Sequence, residues 1–161
     1  MGERGDLQLV TAAPDHASGV AALHGKLFEK AWDAEGVRRL LEHPACLGLV
    51  ALEPAGGSAI VGFVIAQLAA GEGEILSLGV DPDRQRRGLG SRLAAAIIET
   101  ARSKDVHRLF LDVAESNSAA IGLYARLGFT QMGRRKAYYA HADGSREDAL
   151  LMVRDVRAAS R

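Results

Sequence analysis

Between Asp81 and Leu93 the chain reads DPDRQRRGLGSRL, with arginines on both sides of two glycines set one residue apart. From Gly88 onward the apolar residues Leu89, Leu93, Ile97, Ile98 and Ala101 recur at helical spacing, so the glycines stand where a helix begins. That arrangement suits an anion. The first backbone N–H groups of a helix have no intrahelical acceptor, and the helix dipole adds positive charge there. Glycine at 88 and 90 removes the Cβ that would block a pyrophosphate, and nearby guanidinium groups add charge-assisted hydrogen bonds. The hexapeptide Gln85-Arg86-Arg87-Gly88-Leu89-Gly90 is read as a phosphate cradle. The alternative is a charged, glycine-softened helix entry, but its place after EILSLGVDP favours the cradle.

Two other phosphate loops do not fit. A Walker A loop needs Lys and then Ser or Thr after its last glycine, whereas Gly90 is followed by Ser91 and Arg92. A dinucleotide fingerprint needs a third glycine where Leu93 stands, and a strand ending directly at the turn. Asp112 follows at a distance that mimics the ribose-binding acid of that fingerprint, yet too little chain surrounds the unit for a nicotinamide domain and a substrate site.

The elements that must carry this loop follow from the apolar pattern. LQLVTAA (7–13) reads as a strand, Pro14 to about Phe28 as a helix, and EKAW as a connector to a second helix near Asp33–Leu41 that Pro44 stops. CLGLVALE (46–53) and AIVGFVIAQLA (59–69) form a hairpin about PAGGS (54–58), and GEG (71–73) turns the chain into EILSLGV (74–80). Alternation puts Glu74, Leu76, Leu78 and Val80 on one side of that strand. RLFLDV (108–113) is the next strand. Asn117 can cap the helix SAAIGLYARL, which Gly128 ends, and FTQMGRRKAYY with DALLMV reads as a long hairpin about DGS. A single α/β domain over 1–161 is expected, ordered from about 7 to 156 with a loose start at 1–6: one mixed sheet with helices on both faces.

Composition excludes more than it selects. Lys plus Arg and Asp plus Glu both number 20, so no overall basic surface argues for nucleic acid, and a phosphate site must be local. The single cysteine, Cys46, lies in an apolar run and reads as a small buried hydrophobe, in keeping with a reducing compartment. The N-terminus lacks a signal-peptide pattern and no apolar run reaches membrane-spanning length, so a cytoplasmic protein without membrane partners is expected. His107 and His141 have no metal-like neighbours in the sequence, and no metal site is assigned.

QRRGLG after a VDP turn resembles the acyl-CoA loop of the GNAT superfamily of N-acyltransferases, and SNSAAIGLYARLGF resembles its coenzyme-adjacent helix. LDVAESNSAAIGLY and YYAHADGSREDALLM are similar to the bacterial ribosomal-protein-alanine N-acetyltransferases of the RimI type. The resemblance runs from about Glu74 to Val153, and before it only Phe28 to Trp32 is suggestive. It implies the GNAT fold, a central mixed, mostly antiparallel sheet flanked by about four helices, and acetyl-CoA as co-substrate.

What the resemblance implies at single residues is as follows. Leu78, Gly79 and Val80 match the strand end that pairs with the pantetheine arm, where a backbone N–H also faces the thioester oxygen. Arg86 to Ser91 match the pyrophosphate loop, with Ser91 where relatives often carry Arg, and Asn117 matches a coenzyme contact as well as a cap. Tyr124 matches the acid that protonates the leaving thiolate; otherwise it is a packed tyrosine. Asp112 stands where the RimI pattern has Glu as general base. It is one methylene shorter, so a water would bridge to the amine, or it caps the following loop; Glu74 on the preceding strand is the rival base. An α-amine with a reference pKa of about 8 needs only modest help from either. Trp32 matches the connector that walls the acceptor site, though a tryptophan is more often core. Tyr138 and Tyr139 match a tyrosine pair on the final hairpin; alternation puts them on opposite faces, one clamping a peptide N-terminus and the other structural.

The expected function is acetyl transfer from acetyl-CoA to the N-terminal α-amine, Ala first, of a ribosomal protein, by direct attack in a ternary complex. Two alternatives stay open: a lysine side chain or small-molecule amine as acceptor, and a non-catalytic acyl-CoA-binding module.

Overall fold

The computed structural model describes residues 7–54 and 59–157. Residues 1–6, and 55–58 of the expected PAGGS turn, lie outside the described residues. Strands β1 (Gln8–Thr11), β2 (Cys46–Leu52), β3 (Ile60–Ala69), β4 (Glu72–Val80), β5 (Arg108–Ala114), β6 (Thr130–Ala140) and β7 (Arg146–Asp155) form one sheet. Its order is β1-β2-β3-β4-β5-β7-β6, antiparallel throughout except between β4 and β5. Helices α1 (Ala17–Leu27), α2 (Ala34–Glu42), α3 (Leu89–Ser103) and α4 (Ser118–Arg126) flank it. This is the mixed, mostly antiparallel sheet with four flanking helices that the resemblance implied, with short 3-10 turns at Pro14–His16 and Pro82–Arg84.

Each face of the sheet buries its own core, because successive strand residues point to opposite sides. Val50, Phe63 and Ile65 pack with Val20, Leu23 and Val37 of α1 and α2. Ala51, Val64 and Ala66 pack with Leu93, Ile97 and Ile98 of α3 and with Tyr124 of α4. The expected α3 stripe of Leu89, Leu93, Ile97, Ile98 and Ala101 is fully buried.

Two details correct the sequence reading. The turn before β4 is not GEG but Ala70-Gly71, with φ of 52° and 80°; two positive-φ residues make a tight hairpin, so β4 begins at Glu72. More consequentially, Glu74, Leu76, Leu78 and Val80 do not share a side. Ile65 pairs with Ser77 while Ala66 pairs with Ile75, leaving Leu76 as the extra residue of a β-bulge. Leu76 packs with the α1–α2 core, and Leu78 and Val80 with the α3 side.

Strands β4 and β5 pair in parallel only from Glu72–Arg108 to Ile75–Leu111. Beyond that, Leu78–Val80 pairs only with β3 and Asp112–Ala114 only with β7. The two strands part into a wedge, just past the bulge, and the wedge positions the site.

Candidate active site

At the end of β4 the backbone enters the loop found in the sequence. Gln85 Nε2 donates to the Val80 carbonyl at 3.0 Å, tying the loop back to the strand, and Arg84 pairs with Glu53. Arg86 and Gly88 have φ of 65° and 80°, so the loop turns twice through left-handed backbone before α3 starts. Arg92 N–H donates to the Gly88 carbonyl, the first intrahelical bond, so the N–H groups of Leu89, Gly90 and Ser91 have no acceptor within the helix. Among the described residues no side chain caps this terminus.

The terminus opens on a groove of about 650 Å³ between α3, α4 and the end of β4. Leu78, Gly79, Val80, Gln85, Arg86, Gly88, Leu89, Gly90, Ser91 and Asn117 all line it; Arg87 alone of the expected coenzyme residues does not. Phe28, from the stretch that was only suggestive in the sequence, lines it too, as do Arg84 and Arg126, which were not expected. Asn117 Oδ1 accepts from Ala120 N–H at 3.1 Å, so it is an N-cap on the groove wall and its amide N–H₂ is left for another partner.

The glycines divide the work differently from the expectation. A Cβ on Gly88 would meet nothing within 4 Å, so the space beside it is open and it is the left-handed φ that favours glycine. A Cβ on Gly90 would lie 3.0 Å from Leu123 Cδ1, so Gly90 serves the approach of α3 to α4. A Cβ on Gly79 would lie 2.6 Å from Leu27 Cδ1 and 2.7 Å from Phe63 Cε1, so α1 presses on β4 there.

Tyr124 on α4 does not line the groove: it is 7% exposed, with Phe129 edge-on at 5.5 Å. Burial, and then the neighbouring Tyr139, push its hydroxyl far above the usual phenol range. It therefore keeps its proton near neutral pH and can donate it, or a hydrogen bond, to a developing anion. Burial likewise pushes the Cys46 thiol up, in a half-buried place against the α1–α2 core, which does not suit a nucleophile.

Asp112 sits at the mouth of the wedge, its side chain 11% exposed, and accepts from Arg135 Nε at 3.0 Å. The Arg135 guanidinium also lies 5.7 Å from the Tyr138 ring centroid. Glu74 is exposed, yet near enough for its charge to act on Arg135. The structure thus gathers Asp112, Glu74 and Tyr138 around a residue not singled out in the sequence.

The tyrosine pair is a further correction. Strict alternation would separate the two rings, but their centroids are 5.0 Å apart and nearly perpendicular. The register of β6 on β7 shifts between Arg135 and Tyr139, and Ala137 has φ of 50°. That irregularity brings both rings together: Tyr138 is half exposed, while Tyr139 is half buried with its hydroxyl pushed up to about 12 by burial first and then Asp112.

Trp32 stacks on His24, with centroids 4.5 Å apart and planes 13° from parallel, and its backbone N–H donates to His24 Nδ1 at 3.1 Å. His24 is 4% exposed, and burial lowers its pKa, so the ring is neutral with its proton on Nε2. One face of Trp32 is therefore spent on the core. His24 shares the buried stripe of Val20 and Leu23, the one sequence signal that could have found it. His141 Nδ1 lies 3.2 Å from Glu29 Oε2 and its Nε2 2.9 Å from Glu147 Oε1, linking the α1–α2 connector to the final hairpin. Among the described residues no group of three or more His, Cys, Asp or Glu could hold a metal. No helix there is long and apolar enough to cross a membrane.

A family model described as "Acetyltransferase (GNAT) family" matches residues 18–129. The [ribosomal protein bS18]-alanine N-acetyltransferase of Escherichia coli strain K12 is 43% identical over 91 residues, 56% of this chain and 61% of that protein's length. A Bacillus subtilis relative is 31% identical over 134 residues, 83% of this chain and 85% of its own length. The crystal structure of the Escherichia coli ribosomal-protein-S18-alanine N-acetyltransferase superposes with a TM-score of 0.86 at 27% identity, covering 97% of each chain.

Proposed function

The chain belongs to the GNAT acetyltransferase family, and on that footing we propose that it transfers the acetyl group of acetyl-CoA to the N-terminal α-amine of a protein, an Ala-initiated ribosomal protein first among acceptors. The observation that carries this reading is the meeting of the uncapped α3 N-terminus, the parted ends of β4 and β5, and a carboxylate at their mouth.

The residues fit the coenzyme by chemistry. The N–H groups of Leu89 to Ser91, with Arg86 and Arg126 beside them, suit a pyrophosphate. Leu78 to Val80 have no strand partner on the wedge side, and apart from the Val80 carbonyl, which accepts from Gln85, their backbone suits an amide-bearing arm; a β4 N–H there suits the oxyanion of the tetrahedral intermediate. The acceptor amine enters from the side of Asp112 and Tyr138. Asp112 or Glu74, through a water, takes the proton the amine sheds on attacking the thioester carbon. Tyr124 supplies a proton or hydrogen bond to the departing sulfur. Direct attack needs no enzyme nucleophile, in keeping with the position of Cys46.

The test is an acetylation assay on an Ala-initiated peptide and on the same peptide with its N-terminus blocked, read by mass. Modification of the free N-terminus alone is expected. Equal modification of the blocked peptide would move the acceptor to a lysine side chain. Coenzyme binding with no acetyl transfer across a broad amine panel would leave an acyl-CoA-binding module.

A further inference from the structure

Arg135 occupies a place that a substrate group should want. Its Nε–H donates to Asp112 Oδ1 at 3.0 Å, and its guanidinium sits 5.7 Å from the Tyr138 ring centroid. A carboxylate beside an aromatic face is a seat for a cation. The seat lies at the mouth of the wedge, and Asp112, only 11% exposed, has little other surface to offer. Its geometry depends on the β6 irregularity at Ala137, which turns Tyr138 beside Arg135. The acceptor of an N-acetyltransferase arrives largely as an ammonium, since an α-amine has a reference pKa of about 8. It needs a group to dock on before it loses its proton, and the best-placed one is already taken.

We propose that Arg135 is an internal stand-in for the acceptor's ammonium: it holds the cation seat formed by Asp112 and Tyr138, and an incoming protein N-terminus docks by displacing it. Arg135 is then a specificity-determining residue. An acceptor must bring a positive charge able to compete with a guanidinium. A neutral amine finds the seat closed, and so does an N-terminus already acetylated. This inference rests on the acetyltransferase reading and adds the docking step to it.

The experiment measures binding, apart from turnover. An Ala-initiated peptide and its N-acetylated twin are titrated by calorimetry into the CoA-bound protein, as wild type, Arg135→Gln and Arg135→Lys. Arg135→Gln should bind the free-amine peptide about two- to five-fold tighter, the reach of an ion pair open to water. Arg135→Lys, which keeps a competing cation, should match wild type, and the acetylated twin should be indifferent to all three. Equal or weaker binding by Arg135→Gln overturns the proposal and makes Arg135 a support for Asp112. If Arg135→Gln does not fold, the wild-type ¹⁵Nε signal of Arg135 decides. Its movement with the free-amine peptide alone supports displacement, and an unmoved signal at saturation overturns it. Failure of the acetyltransferase reading would look different: wild type would consume no acetyl-CoA with any amine, whatever the three affinities.

Discussion

At the scale of the residue, the role proposed for Tyr124 turns on its burial. A phenol pushed above its usual range by desolvation holds its proton throughout the neutral region, so in the proposed reaction it would act as a donor toward sulfur. Tyr124→Phe should lower kcat about a hundredfold, the lower end of what a positioned acid contributes. The ring still packs on Phe129 and does not line the groove, so the dissociation constant for CoA should stay within about twofold, a change worth well under the 1.4 kcal/mol of a tenfold shift. Rapid quench gives the first quantity and calorimetry the second; an unchanged kcat would remove Tyr124 from the chemistry. The places of Tyr124, Asn117 and Asp112 in their elements were legible in the sequence, because each stands at a fixed offset in a motif or near the end of an element. His24 and Arg135 were not. A histidine on an apolar helix stripe and one arginine in a basic run gain meaning only from what lies across from them, Trp32 in one case and Asp112 in the other.

At the scale of the element, Gly88 and His141 carry the predictions. With φ of 80° and no atom within 4 Å of a built Cβ, Gly88→Ala is strained by its backbone alone. It should cost about 1–2 kcal/mol of stability by chemical denaturation and weaken CoA binding, because relaxing that φ re-aims the N–H groups of the loop. Loss of stability with CoA affinity intact would show that the α3 N-terminus does not hold the coenzyme. His141 ties the Glu29 connector to the hairpin, and the hydrogen bond with Glu29, followed by that with Glu147, holds its pKa above the ordinary 6.5. A raised folded-state pKa means stabilisation fully present below the unfolded value and lost as pH rises through the folded one. The melting temperature of wild type should therefore exceed that of His141→Asn at pH 5.5, and the gap should close on the alkaline side of 6.5; a gap independent of pH would make the link a packing contact. At this scale helices and strands were legible because their periods are regular. The bulge at Leu76 and the slip in β6 were not, since one extra residue in the first and two in the second enter a strand whose extended pattern continues across them.

At the scale of the whole molecule, the fold leaves one opening that both layers share. The α1–α2 core and the α3–α4 core lie on opposite faces of the sheet, and the parting of β4 and β5 is where the two faces communicate: Phe28 reaches the groove from one side, and Leu123 and Arg126 from the other. A ligand there bridges elements that an unfolded chain cannot hold together, so it binds the native state alone and stabilises it by mass action. At a hundredfold excess over its dissociation constant, CoA should add about 2.7 kcal/mol. For a chain of 161 residues, about 2–4 °C per kcal/mol makes this a rise of about 5–10 °C in melting temperature. The two ends of the coenzyme should contribute unequally. The proposed anion site consists of exposed arginines and backbone N–H groups, so the rise should shrink between 50 mM and 500 mM salt at fixed ligand, as a screened charge interaction does. Tyr124→Phe should keep the full rise and Gly88→Ala should lose most of it. A melting temperature that ignores CoA at every salt concentration would mean that the groove under Gly88 is not the coenzyme site, and the acetyltransferase reading would lose the geometry it stands on.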